Sequence, residues 1–157
     1  VYGNVINSTG SVIPLIWDSI NKKKTLQLYG IEMTRFLLDV DDAINLILKS
    51  TKYSNCNIIP MARSFRIKDL FEIYKEEFGL SYKVTEPRTG EKIHEIMAAS
   101  EEIRRMEFLK KDKIYIIHPK KHVNKLKFIN NEYSSRDYCL SKDELCNYLK
   151  SKNFYKS

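Results

Sequence analysis

The period of apolar positions changes repeatedly along the chain, and each change marks an element. Val12, Ile13, Leu15, Ile16 and Ile20 recur at helical spacing, so residues 12–22 are expected to form a helix with Pro14 in its first turn. Lys22, Lys23 and Lys24 close it, where positive charge suits the dipole. Residues 1–6 and 25–29 read as short strands, the second turned by Gly30. Residues 34–40 are extended. Asp41 and Asp42 are expected to cap a helix running to Lys49, with Ala43, Ile44, Leu46, Ile47 and Leu48 as its apolar side. A strand over 56–61 follows, then an amphipathic helix over 69–78 closed by Gly79. Residues 82–86 read as a strand, 88–92 as a polar loop, and a helix is expected from about Ile93. A strand over 113–117 stops at His118-Pro119. After a loop around Tyr133, a last helix starts at Ser141, which forms a capping box with Glu144. Strands alternate with helices, so the fold class is α/β.

A length of 157 residues suits one domain or one part of a larger one, and 43% hydrophobic residues suffice for a core. The expected organisation is a single region over 1–157, with about 112–157 a peripheral tail ending in a helix. Val1 to Val5 already reads as a strand, so the natural chain is expected to continue upstream. No apolar run approaches the ~18 residues of a membrane span, and no signal peptide is visible. A soluble, cytoplasmic chain with no membrane partner is therefore expected. Cys56, Cys139 and Cys146 form no CxxC pair, which fits free thiols in a reducing compartment. The net charge of +7 sits almost wholly beyond residue 100. Nucleic-acid binding is one explanation. A lysine-biased composition is the other, and because the lysines alternate with aromatics and acids, nucleic acid is not expected as a partner.

Much familiar chemistry is missing. No GxGxxG or GxxxxGK[ST] loop is present, and no HExxH. His118 and His122 are separated by Pro119, which prevents one helix from presenting both, so no metal site is expected. No catalytic residue is assigned. Two arginines stand out: Arg35 inside the apolar run Met33-Thr34-Arg35-Phe36-Leu37-Leu38, and Arg88 before Thr89-Gly90-Glu91. A guanidinium stays charged and forks onto phosphate, so two of them suit a diphosphate. Glu91 is able to accept from ribose hydroxyls. The ordinary alternative is an ion pair, for Arg35 with an acid such as Asp39.

The segments "YGNVINSTGSVIPL", "MTRFLLDVDDAINLIL" and "PRTGEKIHE", followed by "EYSSRDYCLSKDEL", stand in an order and spacing that resemble extended short-chain dehydrogenases/reductases. The likeness is strongest to the nucleotide-sugar 4,6-dehydratases, particularly those acting on UDP-N-acetylglucosamine, and it covers only their second half. It implies the C-terminal, substrate-binding part of a Rossmann-type fold. The glycine-rich dinucleotide loop, the catalytic Lys or acid pair and the Tyr-x-x-x-Lys would lie upstream of Val1. It also implies roles. Asn4 would hydrogen-bond the sugar nucleotide, and Val5, Ile6, Asn7, Ser8 and Thr9 would border the nicotinamide end of NADP (or NAD). Val12 would present backbone to the diphosphate, and Thr25 or Leu26 would lie along the uridine. Arg88 would bind the diphosphate and Glu91 the ribose, with Arg35 lining the same pocket.

The implied function is the UDP-N-acetylhexosamine-binding portion of an NADP-dependent 4,6-dehydratase, with or without 5-epimerisation, in polysaccharide biosynthesis. Its partners would be the UDP-sugar, the N-terminal half and further copies in a homo-oligomer. A non-catalytic remnant that binds a sugar nucleotide or a protein is the alternative. The stretch "LYGIEMTRF" departs from the resemblance, since the family usually carries Asp-Pro before the residue preceding MTRF, so the family's shape for the loop over the uridine is not carried over to this chain.

Overall fold

The computed structural model describes residues 5–120, 123, 126, 128 and 132–155. The helical periods became helices. α1 (Val12–Asn21) buries Ile13 and Ile16, and α3 (Ile67–Phe78) buries Leu70, Phe71, Ile73 and Tyr74. α3 ends at Gly79, whose φ of 71° opens the left-handed turn that a side chain would resist. α5 (Lys142–Ser151) starts with the expected capping box between Ser141 and Glu144. These three helices share one core with β1 (Leu26–Tyr29), which pairs in parallel with β5 (Tyr82–Thr85), and α3 lies between α1 and α5.

The other pairings are antiparallel. β2 (Thr34–Leu37) runs beside β4 (Arg63–Arg66), placing Arg35 opposite Phe65. β3 (Asn57–Pro60), β8 (Ile114–Ile117) and β7 (Met106–Leu109) form a sheet in the order β3-β8-β7. β6 (Ile96–Ala98) pairs with β9 (Tyr133–Ser134). A second core of Phe36, Ile59, Met97, Met106, Tyr115 and Tyr133 joins these small sheets. The result is an α/β fold made of small, mostly antiparallel sheets. The stretch expected as a peripheral tail places Tyr133 in this second core and Leu140, Leu145 and Leu149 in the first.

Several local expectations are corrected. No helix starts at Ile93. Residues 96–98 are a strand because β9 offers them a ladder, and the Ile93 carbonyl accepts from the Thr34 N–H at 2.9 Å. Only α4 (Ser100–Ile103) follows, and Glu102 sits at its start, accepting from the Ala99 N–H at 3.0 Å. β4, β7 and β9 were not expected as strands. Residues 1–4 lie outside the described part, and Val5 and Ile6 are not in a strand, although the Ile6 N–H reaches the Leu38 carbonyl at 2.8 Å. The expected apolar side of α2 (Val40–Ser50) is split. Ala43 and Leu46 are buried, whereas Ile44, Ile47 and Leu48 are exposed beside Val40.

The cap of α2 is Asp39, two residues before the expected Asp41, and Asp41 and Asp42 lie in the first turn. Its carboxylate accepts from the Asp42 N–H at 2.8 Å, lies 2.5 Å from Lys152 Nζ, and accepts from the Tyr148 hydroxyl at 3.1 Å. Burial raises this carboxyl, but Lys152, the Asp42 N–H and Tyr148 outweigh it and hold it below its ordinary value. A lowered folded pKa contributes stability above the ordinary carboxylate range and loses it as pH falls through the folded value. Asp39→Ala is therefore expected to cost about 1–2 kcal/mol at neutral pH. The gap from the parent should narrow in acid, as read by urea unfolding at the two pH values.

Candidate functional site

Two turns bring separate segments to one cleft. Gly30 has φ +79°, and its N–H donates to the Thr85 carbonyl at 2.9 Å. A Cβ there would stand 3.1 Å from Pro87 Cγ, so glycine lets the end of β1 pass beneath the loop that carries Arg88. That loop closes on itself, with the Glu91 N–H donating to the Arg88 carbonyl at 2.9 Å. Across the cleft, the loop before α1 is tied by Ser8 Oγ donating to the Val5 carbonyl at 2.8 Å and by the Ser11 N–H donating to the Ser8 carbonyl at 2.9 Å.

The cleft between these segments holds about 800 Å³. Of the residues singled out by the sequence, Val5, Ile6, Ser8, Thr9, Val12, Thr25, Arg35, Arg88 and Glu91 all line it. Asn7, with φ 61°, is exposed and does not. Asn4 lies outside the described residues.

Arg35 sits on the cleft-facing side of β2, between buried Thr34 and Phe36. Its guanidinium is mostly enclosed and donates to the Thr34 carbonyl at 2.8 Å. It pairs with Glu91 at 3.1 Å and stands 3.9 Å from Glu95. Its acidic partners are thus Glu91 and Glu95, and Asp39 belongs to Lys152 instead. Arg88 is exposed and lies over the Tyr29 ring at 4.1 Å, also donating to the Tyr29 hydroxyl. Thr25 Oγ1 is hydrogen-bonded to Ser81 Oγ at 3.1 Å.

Residues 1–119 match the family described as Polysaccharide biosynthesis protein. The chain belongs to this family. Among its curated relatives, an uncharacterized membrane protein of Methanocaldococcus jannaschii is 35% identical over 75% of the chain and 38% of its own length. The UDP-N-acetylglucosamine 4,6-dehydratase (inverting) of Campylobacter jejuni is 35% identical over 64% of the chain and 30% of its own length. A UDP-glucose 4-epimerase of Rickettsia canadensis is 35% identical over 69% of the chain and 33% of its own length. The chain therefore spans about a third of these relatives. The solved structure of Pen from Bacillus thuringiensis superposes with a TM-score of 0.82 at 26% identity, over 98% of this chain and 48% of Pen. Sequence and fold are those of the C-terminal part of an extended short-chain dehydrogenase/reductase.

Three features of the site escaped sequence reasoning. Tyr29 and Gln27 stand on one face of β1, with the Tyr29 hydroxyl donating to Gln27 Oε1 at 2.6 Å, and both line the cleft. Ser11 Oγ is buried at the cleft wall with no hydrogen-bond partner, and as the residue before α1 it caps none of the first N–H groups. Behind Arg35, Thr34 Oγ1 is hydrogen-bonded to His94 Nδ1 at 2.9 Å and to Ser135 Oγ at 2.6 Å, a buried link from the tail to the cleft strand. Burial, with Arg136 nearby, holds His94 below its ordinary pKa.

Tyr133 points into the second core and is not part of the cleft. Cys56, Cys139 and Cys146 are free thiols. Among the described residues no cluster suits a metal ion and no helix is long and apolar enough to cross a membrane. His122 lies outside them.

Proposed function

We propose that this chain supplies the sugar-nucleotide end of the active site in a UDP-N-acetylhexosamine 4,6-dehydratase of polysaccharide biosynthesis. The observation that carries this reading is the convergence of Arg35, Arg88 and Glu91 with the start of α1 on one cleft. The cleft offers two guanidiniums, first-turn N–H groups and the unpartnered Ser11 hydroxyl, a donor set that matches a diphosphate. Glu91, now held by Arg35, is the acceptor for a ribose. A diphosphate arriving at Arg35 competes with that carboxylate, and its release leaves Glu91 free to accept from the ribose hydroxyls.

The residues also fit the edge of a nicotinamide cofactor, NADP or NAD. Val5, Ile6, Ser8 and Thr9 line the same cleft, and with no glycine-rich loop in the chain, most of the cofactor would rest on other residues of the full-length protein. When bound, the nicotinamide supplies hydride acceptance at C4 of the sugar and its return at C6, around the loss of water across C5–C6. The side chains of this chain bind the far end of the substrate, and that remote binding energy holds the sugar in place for the reaction.

The Rickettsia relatives named UDP-glucose 4-epimerase favour a second reading, in which the same uridine-diphosphate end serves an epimerase. Product analysis separates the two, since a dehydratase yields a 4-keto-6-deoxy sugar and an epimerase an inverted C4 hydroxyl. Calorimetry on the full-length protein tests the site itself. UDP is expected to bind at least about tenfold more tightly than uridine, and equal affinities would overturn the diphosphate reading. Glu91→Gln is expected to weaken UDP more than 2′-deoxy-UDP, because the lost partner is a ribose hydroxyl. The 157 residues alone are expected to show no turnover of UDP-N-acetylglucosamine with added NADP.

A further inference from the structure

We propose that Tyr29 is a positioning residue that presents Arg88 to the substrate diphosphate, an inference that rests on the sugar-nucleotide reading above. The two arginines of the cleft are held in different ways. Arg35 is held by a carboxylate, Glu91 at 3.1 Å, so part of its charge is already spent. Arg88 is held by a neutral partner: its guanidinium lies 4.1 Å from the centre of the Tyr29 ring and donates to the Tyr29 hydroxyl. No carboxylate pairs with Arg88 among the described residues. A cation over an aromatic face is fixed in orientation but keeps its full charge. A guanidinium has five N–H donors, and the hydroxyl takes only one, leaving the others for phosphate oxygens.

The ring is itself anchored. Tyr29 ends β1 in register with Thr85, and its hydroxyl donates to Gln27 Oε1 at 2.6 Å. Gly30, directly after it, is fixed by its N–H bond to the Thr85 carbonyl at 2.9 Å. The strand therefore holds the tyrosine, and the tyrosine holds an otherwise exposed arginine. A free arginine loses rotamer freedom when it meets a ligand, and stacking removes part of that loss beforehand.

The test is calorimetry of UDP and of uridine on the full-length parent and on Tyr29→Ala, Tyr29→Phe, Arg88→Ala and the Tyr29→Ala/Arg88→Ala double variant. Tyr29→Ala is expected to weaken UDP about fivefold, the order of one exposed cation–π contact, while leaving uridine within about twofold. Tyr29→Phe keeps the stacking face and should recover most of the affinity. The double variant should bind UDP no more weakly than Arg88→Ala, because Tyr29 acts through that arginine. Parental UDP affinity in Tyr29→Ala, with Arg88→Ala still weakened, would overturn the role of Tyr29 and leave the diphosphate reading standing. Equal weakening of UDP and uridine would also overturn it, showing that the ring serves the nucleoside or the fold. Parental affinity in both alanine variants would remove the diphosphate reading and this inference with it.

Discussion

Arg88→Ala is expected to weaken UDP binding about ten- to a hundredfold, the equivalent of one charge-assisted contact of roughly 1.5–3 kcal/mol. Without ligand, the Arg88 side chain is held by one neutral partner. Its contacts are to Tyr29, through the ring and the hydroxyl, and neither satisfies a positive charge. It is exposed at the cleft mouth, so its removal leaves no buried group unpartnered and should hardly change the folding stability. Affinity and stability are thereby separable. Arg88→Lys should recover only part of the loss, because an ammonium cannot reproduce the two-pronged fork. The difference between parent and Arg88→Ala should shrink at high salt, since an exposed charge is screened.

Arg35→Ala is a different experiment. That side chain is mostly enclosed and pairs with Glu91 and stands near Glu95. Its removal subtracts a diphosphate partner and leaves two carboxylates facing an anionic ligand. The loss of UDP affinity should match or exceed that of Arg88→Ala and be accompanied by lower stability. Calorimetry and unfolding on the two variants distinguish these cases. UDP affinity equal to the parent in Arg88→Ala would reduce the loop 87–91 to a turn between β5 and β6.

The two arginines were legible in the sequence for different reasons. Arg35 drew attention because it interrupts an apolar strand, and it lines the cleft. The spacing could not show that its acids would come from 91 and 95, far along the chain. Arg88 was marked by its motif, but its partner Tyr29 read only as the last residue of a strand. The long helices were legible because ten or more residues repeat one period, as in α1 and α3. Of the missed strands, β9 has only two residues and β4 carries arginine at both ends with Phe65 as its one large apolar residue, whereas β7 has the same four residues as β1, β3, β5 and β8 in length, so length does not account for it. Residues 93–98 show why local preference failed. Their conformation is set by distant partners, with the Ser135 N–H donating to the Glu95 carbonyl and the Glu95 N–H to Ser135 Oγ, both at 2.9 Å. Tertiary pairing overrides propensity in such a segment.

The largest loss of stability is expected from Tyr133→Ala, about 3–5 kcal/mol, in the range of truncating a large aromatic core residue. The residue comes from the C-terminal stretch, yet it is only 1% exposed. Its ring lies 5.2 Å from both Phe36 and Tyr115, joining β2, β8 and β9 in one aromatic cluster. Its hydroxyl oxygen accepts from the Ala62 N–H at 2.8 Å, and the hydroxyl faces the Pro60 and Ala62 carbonyls at 3.2 and 3.1 Å. This fixes the turn between β3 and β4, where the Met61 N–H also donates to the Lys113 carbonyl at 3.3 Å. Burial pushes the Tyr133 hydroxyl pKa up, so it stays neutral and the network is unchanged across the ordinary pH range. Tyr133→Phe separates the two contributions. It keeps the ring and strands the buried Ala62 N–H, which should cost about 1–3 kcal/mol. The remainder of the alanine effect then belongs to the cavity and the lost ring contacts. Urea unfolding of the parent and both variants measures each part, and a Tyr133→Phe protein as stable as the parent would show that the turn holds without its hydroxyl. Because Ser135 follows two residues later and bonds Thr34 beside Arg35, Tyr133→Ala should also loosen the cleft wall. UDP affinity in that variant should therefore fall even though no atom of Tyr133 reaches the cleft.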